Sequence, residues 1–189
     1  LAQMKPDALA GAVLNDIGPR IDKRGLLRLV ATLSMAPDSY PSWEAAAAAL
    51  KNAEGRFFPS FTDADWLAQA HRRYAEIDGH PARGYDWKLV RATETAVSDE
   101  PPTLWAQFEE LARTPLLVVH GGLSDILSAE TVAEMRRRAP AMRAVTLPDR
   151  GHTPVLDEPL ALGAIEAFLE EIDAGCAPIS TPSAPPPSG

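Results

Sequence analysis

The chain has 189 residues, 46% apolar and 23% charged, the composition of a soluble globular protein of one domain or two small ones, which excludes collagen, coiled coil and wholesale disorder. Eighteen Lys and Arg against 26 Asp and Glu give a net charge of −8. Such a surface repels phosphate backbones and anionic lipid, so neither nucleic acid nor a membrane is expected as a partner. The longest apolar tracts, residues 45–50 and 116–119, fall well short of the roughly 20 residues a helical membrane span needs. Cys176 is the single cysteine and cannot form an internal disulfide, and the opening residues do not read as a basic leader with an apolar core. A cytoplasmic setting is therefore the default expectation. Leu1 already stands in an Ala-rich amphipathic stretch, as expected of a chain that begins inside a longer gene product.

In chain order, strand character first appears in residues 10–15, where Val13 and Leu14 follow small residues and the run stops at Asn15-Asp16-Ile17-Gly18-Pro19. Residues 22–35 carry Leu26, Leu29, Val30 and Leu33 at helical spacing, and Ser42 can cap a second helix through Trp43, Ala46 and Leu50. Thr62 or Asp63 can accept the free N–H groups of a third helix running to about Ile77, with Trp66, Leu67, Ala70 and Tyr74 on one face. Gly79, Pro81 and Gly84 then break it. A fourth helix is expected from near Pro102, presenting Leu104, Trp105, Phe108 and Leu111 and ending at Thr114-Pro115. Residues 20–113 thus read as mostly helical.

The pattern then alternates: apolar 116–119, a Gly-rich loop, a helix over 128–139, a strand over 144–147, a loop, and a helix from about Pro159 to Ile172. This is the rhythm of a parallel sheet covered by helices, an α/β class. The tail 174–189 holds Pro178, Pro182 and Pro185 to Pro187 among Ser, Ala and Thr, too poor in large apolar residues to pack, and is expected to be disordered.

Right-handed crossovers gather the loops at the strands' carboxyl ends on one edge, where ligand sites of open α/β sheets lie. Three loops converge there: 15–19, 120–127 and 148–154. Two of them hold a polar residue among small neighbours, Asp125 in Gly121-Gly122-Leu123-Ser124-Asp125 and His152 in Arg150-Gly151-His152-Thr153-Pro154. A histidine with an acid partner is the machinery of proton transfer, because the carboxylate orients the ring and stabilises the imidazolium. Singly, His152 reads equally as an exposed loop histidine and Asp125 as a helix cap; each following a strand, the pair outweighs those readings. His71, in the polar part of a helix, and His80, in a turn, read as solvated bystanders.

These segments resemble the α/β hydrolases. Ala12-Val13-Leu14-Asn15-Asp16-Ile17-Gly18-Pro19 is similar to the strand after the nucleophile helix, residues 115–128 to the next strand with its acid loop, and Asp149-Arg150-Gly151-His152 to the histidine loop, with Glu158-Pro159 opening the last helix. The resemblance implies a partial α/β-hydrolase fold of about three parallel strands with flanking helices and a helical lid. It divides the chain into the end of the nucleophile helix with a core strand (1–19), the lid (20–113), the carboxyl-terminal core (114–173) and the tail (174–189). It makes His152 the general base and acid and Asp125 the carboxylate that orients it. Asp16 is the alternative acid, since some α/β hydrolases place it after the earlier strand, although Asn15-Asp16 before Gly18-Pro19 reads more simply as a turn.

His120-Gly121-Gly122 leads straight to Asp125 and is not assigned as the family's oxyanion loop. Ser124 lacks the second glycine and the strand-to-helix turn of a nucleophile elbow. The sequence departs from the family in having neither an oxyanion loop nor a G-x-S-x-G elbow or its Asp variant upstream of Val13. A three-strand sheet would also leave an apolar edge strand open to another chain.

The expectation is the carboxyl-terminal portion of a hydrolase acting on an ester, or a C–C bond next to a ketone, by nucleophile-His-Asp catalysis, with the nucleophile absent and the chain alone inactive. With an aspartate nucleophile the reaction becomes dehalogenation or epoxide opening. Phe57, Phe58, Phe61, Trp66, Trp87 and Trp105 read mainly as lid core and secondarily as the lining for a small apolar substrate. The alternative is a truncated hydrolase-fold protein that binds a ligand or partner and catalyses nothing. A metal hydrolase using His120, Asp125 and His152 has no dense ligand motif behind it, and no cofactor or metal is expected.

Overall fold

The computed structural model describes residues 8–86, 88 and 103–176. Along them run β1 (Ala12–Asn15), α1 (Lys23–Met35), α2 (Trp43–Glu54), a 3-10 turn (Gly55–Phe57), α3 (Asp63–Arg73), β2 (Tyr74–Ile77), β3 (His80–Arg83), α4 (Trp105–Leu111), β4 (Leu116–Gly121), α5 (Ala129–Arg138), β5 (Arg143–Leu147) and α6 (Pro159–Cys176). β1, β4 and β5 form a parallel sheet in that order, with Ala12 beside Leu116 and Leu117 beside Arg143. All of β4 is buried, which is why it reads as an unbroken apolar run: a central parallel strand covered on both faces has no polar side. Leu116 and Val118 pack with Phe108, Leu127, Val132 and Met135, while Leu117 and Val119 pack with Leu147, Ala161 and Phe168. The alternation assigns one set of side chains to α4 and α5 and the other to α6.

The helices α1, α2, α3 and α5 begin at side chains able to take up free N–H groups. Asp22 accepts from the Arg24 N–H at 2.9 Å, Ser42 from Ala45 at 3.2 Å and Ser128 from Thr131 at 3.2 Å. Thr62 and Asp65 cap each other reciprocally. α2 and α3 then bury Ala46, Ala47, Leu50, Phe57, Phe58, Trp66 and Ala70 in a core of their own.

The third helix ends sooner than its periodicity suggests. It stops at Arg73, and Tyr74–Ile77 pairs antiparallel with His80–Arg83. Asp78 and Gly79 both have positive φ, 51° and 77°, the two-residue turn that joins twisted antiparallel strands. The Asp-Gly pair was the available signal. The fourth helix opens at Trp105, while Pro102, Trp87, residues 1–7 of the expected nucleophile helix and residues 177–189 of the tail lie outside the described residues. No strand among the described residues pairs with the outer side of β1, where Val13 is 36% exposed. No helix among them is long and apolar enough to cross a membrane.

α1 sits close against the loop after β4. The Asp22 N–H donates to the Ile126 carbonyl at 2.9 Å, and a Cβ on Gly25 would stand 1.9 Å from the Asp125 carbonyl oxygen. Replacing Gly25 by Ala should destabilise the full chain by about 1–3 kcal/mol, because backbone must move to admit it. Gly163, in α6 with nothing within 4 Å of its Cβ position, is the opposite case. Gly163→Ala should stabilise by about 0.5–1 kcal/mol through lower unfolded-chain entropy. Denaturant unfolding of both variants checks the pair; equal effects would contradict the packing described.

Candidate active site

β1 ends at Asn15, and the chain turns at Asp16 with φ of 52°, a left-handed conformation that aspartate adopts more readily than most residues. The turn leaves Asp16 fully buried. A buried carboxylate is costly unless its oxygens are hydrogen-bonded, and here each has a donor. The Gly121 N–H donates to Oδ1 at 2.8 Å, and His152 Nδ1 lies 2.9 Å from Oδ2 and 3.2 Å from the Asp16 carbonyl oxygen. Because a carboxylate only accepts, Nδ1 carries the proton and the Nε2 lone pair is free. Nε2 has no hydrogen-bond partner among the described residues, and the His152 side chain is 19% exposed.

His152 reaches Asp16 because the loop after β5 crosses the end of β4 to the end of β1. Asn15 Nδ2 donates to the Pro154 carbonyl at 3.0 Å. A Cβ on Gly121 would stand 2.6 Å from the Gly151 oxygen and 2.7 Å from that of Arg150, so the crossing requires glycine there. The loop is braced from within: Arg150 Nε donates to Glu158 at 2.9 Å, and the same carboxylate takes the N–H groups of Val155 and Leu156. Arg150 also donates to Ser60 Oγ and to Asp149, both at 2.7 Å, which joins the loop to the helical segment. The Ser60 hydroxyl first, then the Arg150 charge, hold the Asp149 carboxyl below the usual carboxylate range.

The structure does not bring Asp125 to His152. Arg28 of α1 takes both Asp125 oxygens, Nε to Oδ2 at 2.5 Å and Nη2 to Oδ1 at 2.7 Å, with the pair largely buried. These hydrogen bonds raise the Arg28 pKa above its ordinary value. The expected Asp125–His152 pairing is therefore corrected to Asp16–His152, and Asp125 joins α1 to the loop after β4. Nothing in the spacing pointed to Arg28, which lies 97 residues from its partner. Asp16 was legible only as an alternative, since sequence order does not reveal that the histidine loop passes over β4.

The remaining candidates have structural partners. Buried His120 bridges Thr146 Oγ1 at 3.2 Å and the Leu127 carbonyl at 3.1 Å. Ser124 Oγ accepts the N–H groups of Ile126 and Leu127 and so closes its own loop. His120, Asp125 and His152 do not converge, and no group of three metal-ligating side chains occurs among the described residues. Exposed His71 stacks on Trp43 with centroids 3.9 Å apart, and His80 is exposed in the hairpin. Phe58, Phe61 and Trp66 pack on one another, and Trp105 packs edge-on against Phe108; Phe57 meets the histidine loop at Gly151, and the Phe61 ring lies under Arg150, 4.8 Å from its guanidinium carbon.

No protein-family model matches the sequence. The chain is 28% identical to a 3-hydroxybutyrate-oligomer hydrolase from Cupriavidus necator, over 89% of this chain and 59% of that protein. It superposes on an α/β hydrolase from Novosphingobium aromaticivorans with a TM-score of 0.81 and 39% identity, covering 89% of this chain and 59% of that one. With an E-2-(acetamidomethylene)succinate hydrolase the TM-score is 0.71 at 22% identity, over 89% and 60% of the two chains, a likeness of fold alone. The chain carries part of the α/β-hydrolase fold, three parallel strands with flanking helices. It spans about 59% of the length of these relatives.

Removing either member of the Arg28–Asp125 pair should lower stability by about 1–3 kcal/mol, since each leaves a largely buried charge without its partner. A double-mutant cycle with Arg28→Met and Asp125→Asn should return a coupling of similar size. Additive effects in denaturant unfolding would remove the pair from the structural account.

Proposed function

We propose that this chain is the carboxyl-terminal portion of an ester hydrolase and that it supplies the acid–base pair, His152 with Asp16. The observation that carries the proposal is the 2.9 Å contact of His152 Nδ1 with a fully buried carboxylate, which leaves Nε2 as a free base at the carboxyl edge of the sheet. The sequence holds no G-x-S-x-G, and the nucleophile is assigned to the part of the relatives' length that these 189 residues do not span.

In this reading the nucleophile's oxygen attacks the ester carbonyl carbon while its proton passes to Nε2, and Asp16 stabilises the imidazolium. That proton is then delivered to the departing alkoxide as the ester C–O bond breaks. Water then attacks the acyl carbon as its proton passes to Nε2, and that proton returns to the nucleophile's oxygen as the acyl–oxygen bond breaks and the acid leaves. Residues 20–113 form the lid in this proposal, anchored over the histidine loop by Ser60 on Asp149 and Arg150 and by Arg72 on Asp157. The name of the Cupriavidus relative supplies the probe ester, the linear dimer of 3-hydroxybutyrate.

Turnover of that dimer by the full-length protein should vanish in His152→Ala. Asp16→Asn should lower kcat by about 10⁴-fold, because an amide there favours the wrong imidazole tautomer. Asp125→Asn should stay within about tenfold of wild type once its stability loss is allowed for. A collapse of kcat in Asp125→Asn with near-normal Asp16→Asn would overturn the assignment.

A further inference from the structure

Residues 36–86 contain five Lys and Arg, and four of them are neutralised. Lys51 meets Asp63 at 2.7 Å, Arg72 meets Asp157 at 2.8 Å, Arg73 meets Glu54 at 2.5 Å and Arg83 meets Asp38 at 2.5 Å. Arg56 has no carboxylate among the described residues. Its guanidinium instead lies 4.5 Å from the centroid of the Phe57 ring. Arg28 lies over the same ring at 4.5 Å, but its charge is already taken by Asp125.

Phe57 is buried against the histidine loop: a Cβ on Gly151 would stand 2.5 Å from Phe57 Cβ and 3.1 Å from Cγ. The free charge of Arg56 is therefore stacked one phenyl ring away from the backbone that immediately precedes His152. Stacking on an aromatic face limits the rotamers of a long side chain before any ligand arrives, so less freedom is lost on binding. In a protein of net charge −8, an uncompensated guanidinium stacked on the ring that packs against Gly151 is a local attraction for anions, and its planar fork matches a carboxylate.

We propose that Arg56 receives the free carboxylate of the substrate, so that the site takes anionic esters, with a carboxylate a few bonds from the scissile carbonyl, in preference to neutral ones. The proposal rests on the ester-hydrolase reading for its chemistry. Arg56 is a binding residue here and takes no part in proton transfer.

The test compares the 3-hydroxybutyrate dimer with its terminal carboxamide, which has the same scissile ester and no charge. Kinetics of the full-length protein should show KM for the dimer about tenfold below that for the carboxamide, a preference that shrinks as salt is added. Arg56→Ala should raise KM for the dimer about tenfold more than for the carboxamide, and Arg56→Lys should recover part of the difference. Arg24→Ala, an exposed cation on α1, should move neither. Parallel rises for both esters, or no change for either, would overturn the proposal.

Titration calorimetry on the His152→Ala protein provides a readout that does not require turnover. The dimer should bind about tenfold more tightly than the carboxamide, and the difference should disappear when Arg56→Ala is added. If the wild-type protein cleaves neither ester, the hydrolase reading fails while the two dissociation constants still decide the role of Arg56. Equal constants would refute it.

Discussion

The arrangement at the sheet's carboxyl edge depends on one buried carboxylate. Asp16 has no exposure to water, so its charge is tolerable only where both oxygens find donors, and those donors come from separate strands. Gly121 brings one from the end of β4, and His152 brings the other from the loop after β5. Satisfying one side chain thus fixes the positions of three strand ends relative to one another. The left-handed turn at Asp16 and the bare α-carbon of Gly121 are local consequences of that convergence.

The same requirement explains why the histidine loop needs bracing. A loop that crosses a neighbouring strand gives up the regular hydrogen bonds of a sheet and must place its polar groups elsewhere. Glu158 accepts from Arg150 and from two backbone N–H groups, and Asn15 meets the Pro154 carbonyl at the far end. Arg28 and Asp125 perform a comparable service one layer out, by seating α1 on the loop after β4. Of the two acids at strand ends, one serves the histidine and the other serves the packing.

Much of the fold is legible in the sequence because its signals are local. The apolar run of β4, the caps Ser42 and Thr62, and the strand-helix alternation after residue 114 each announce themselves within a few residues. The hairpin at Tyr74–Arg83 was hidden by helical periodicity that ran past Arg73, although Asp78-Gly79 carried the evidence for it. Half of the candidate site was legible for the same reason, since His152 follows a strand in a loop of small residues. Its partner was not, because the choice between Asp16 and Asp125 is made by a loop crossing and by a distant arginine.

The hairpin also links the two ends of the segment it closes. β3 pairs on one side with β2, and on the other the Tyr40 N–H reaches the Pro81 carbonyl at 2.8 Å and the Arg83 N–H reaches that of Asp38 at 2.9 Å. Between those ends, α2 and α3 enclose an aromatic core distinct from the two cores that flank the parallel sheet. A segment sewn together at its own base and packed around its own interior behaves as a separate cooperative unit. Its own hydrogen bonds and aromatic core do not draw on the sheet, so its interior amides are expected to exchange together and apart from those of β1, β4 and β5.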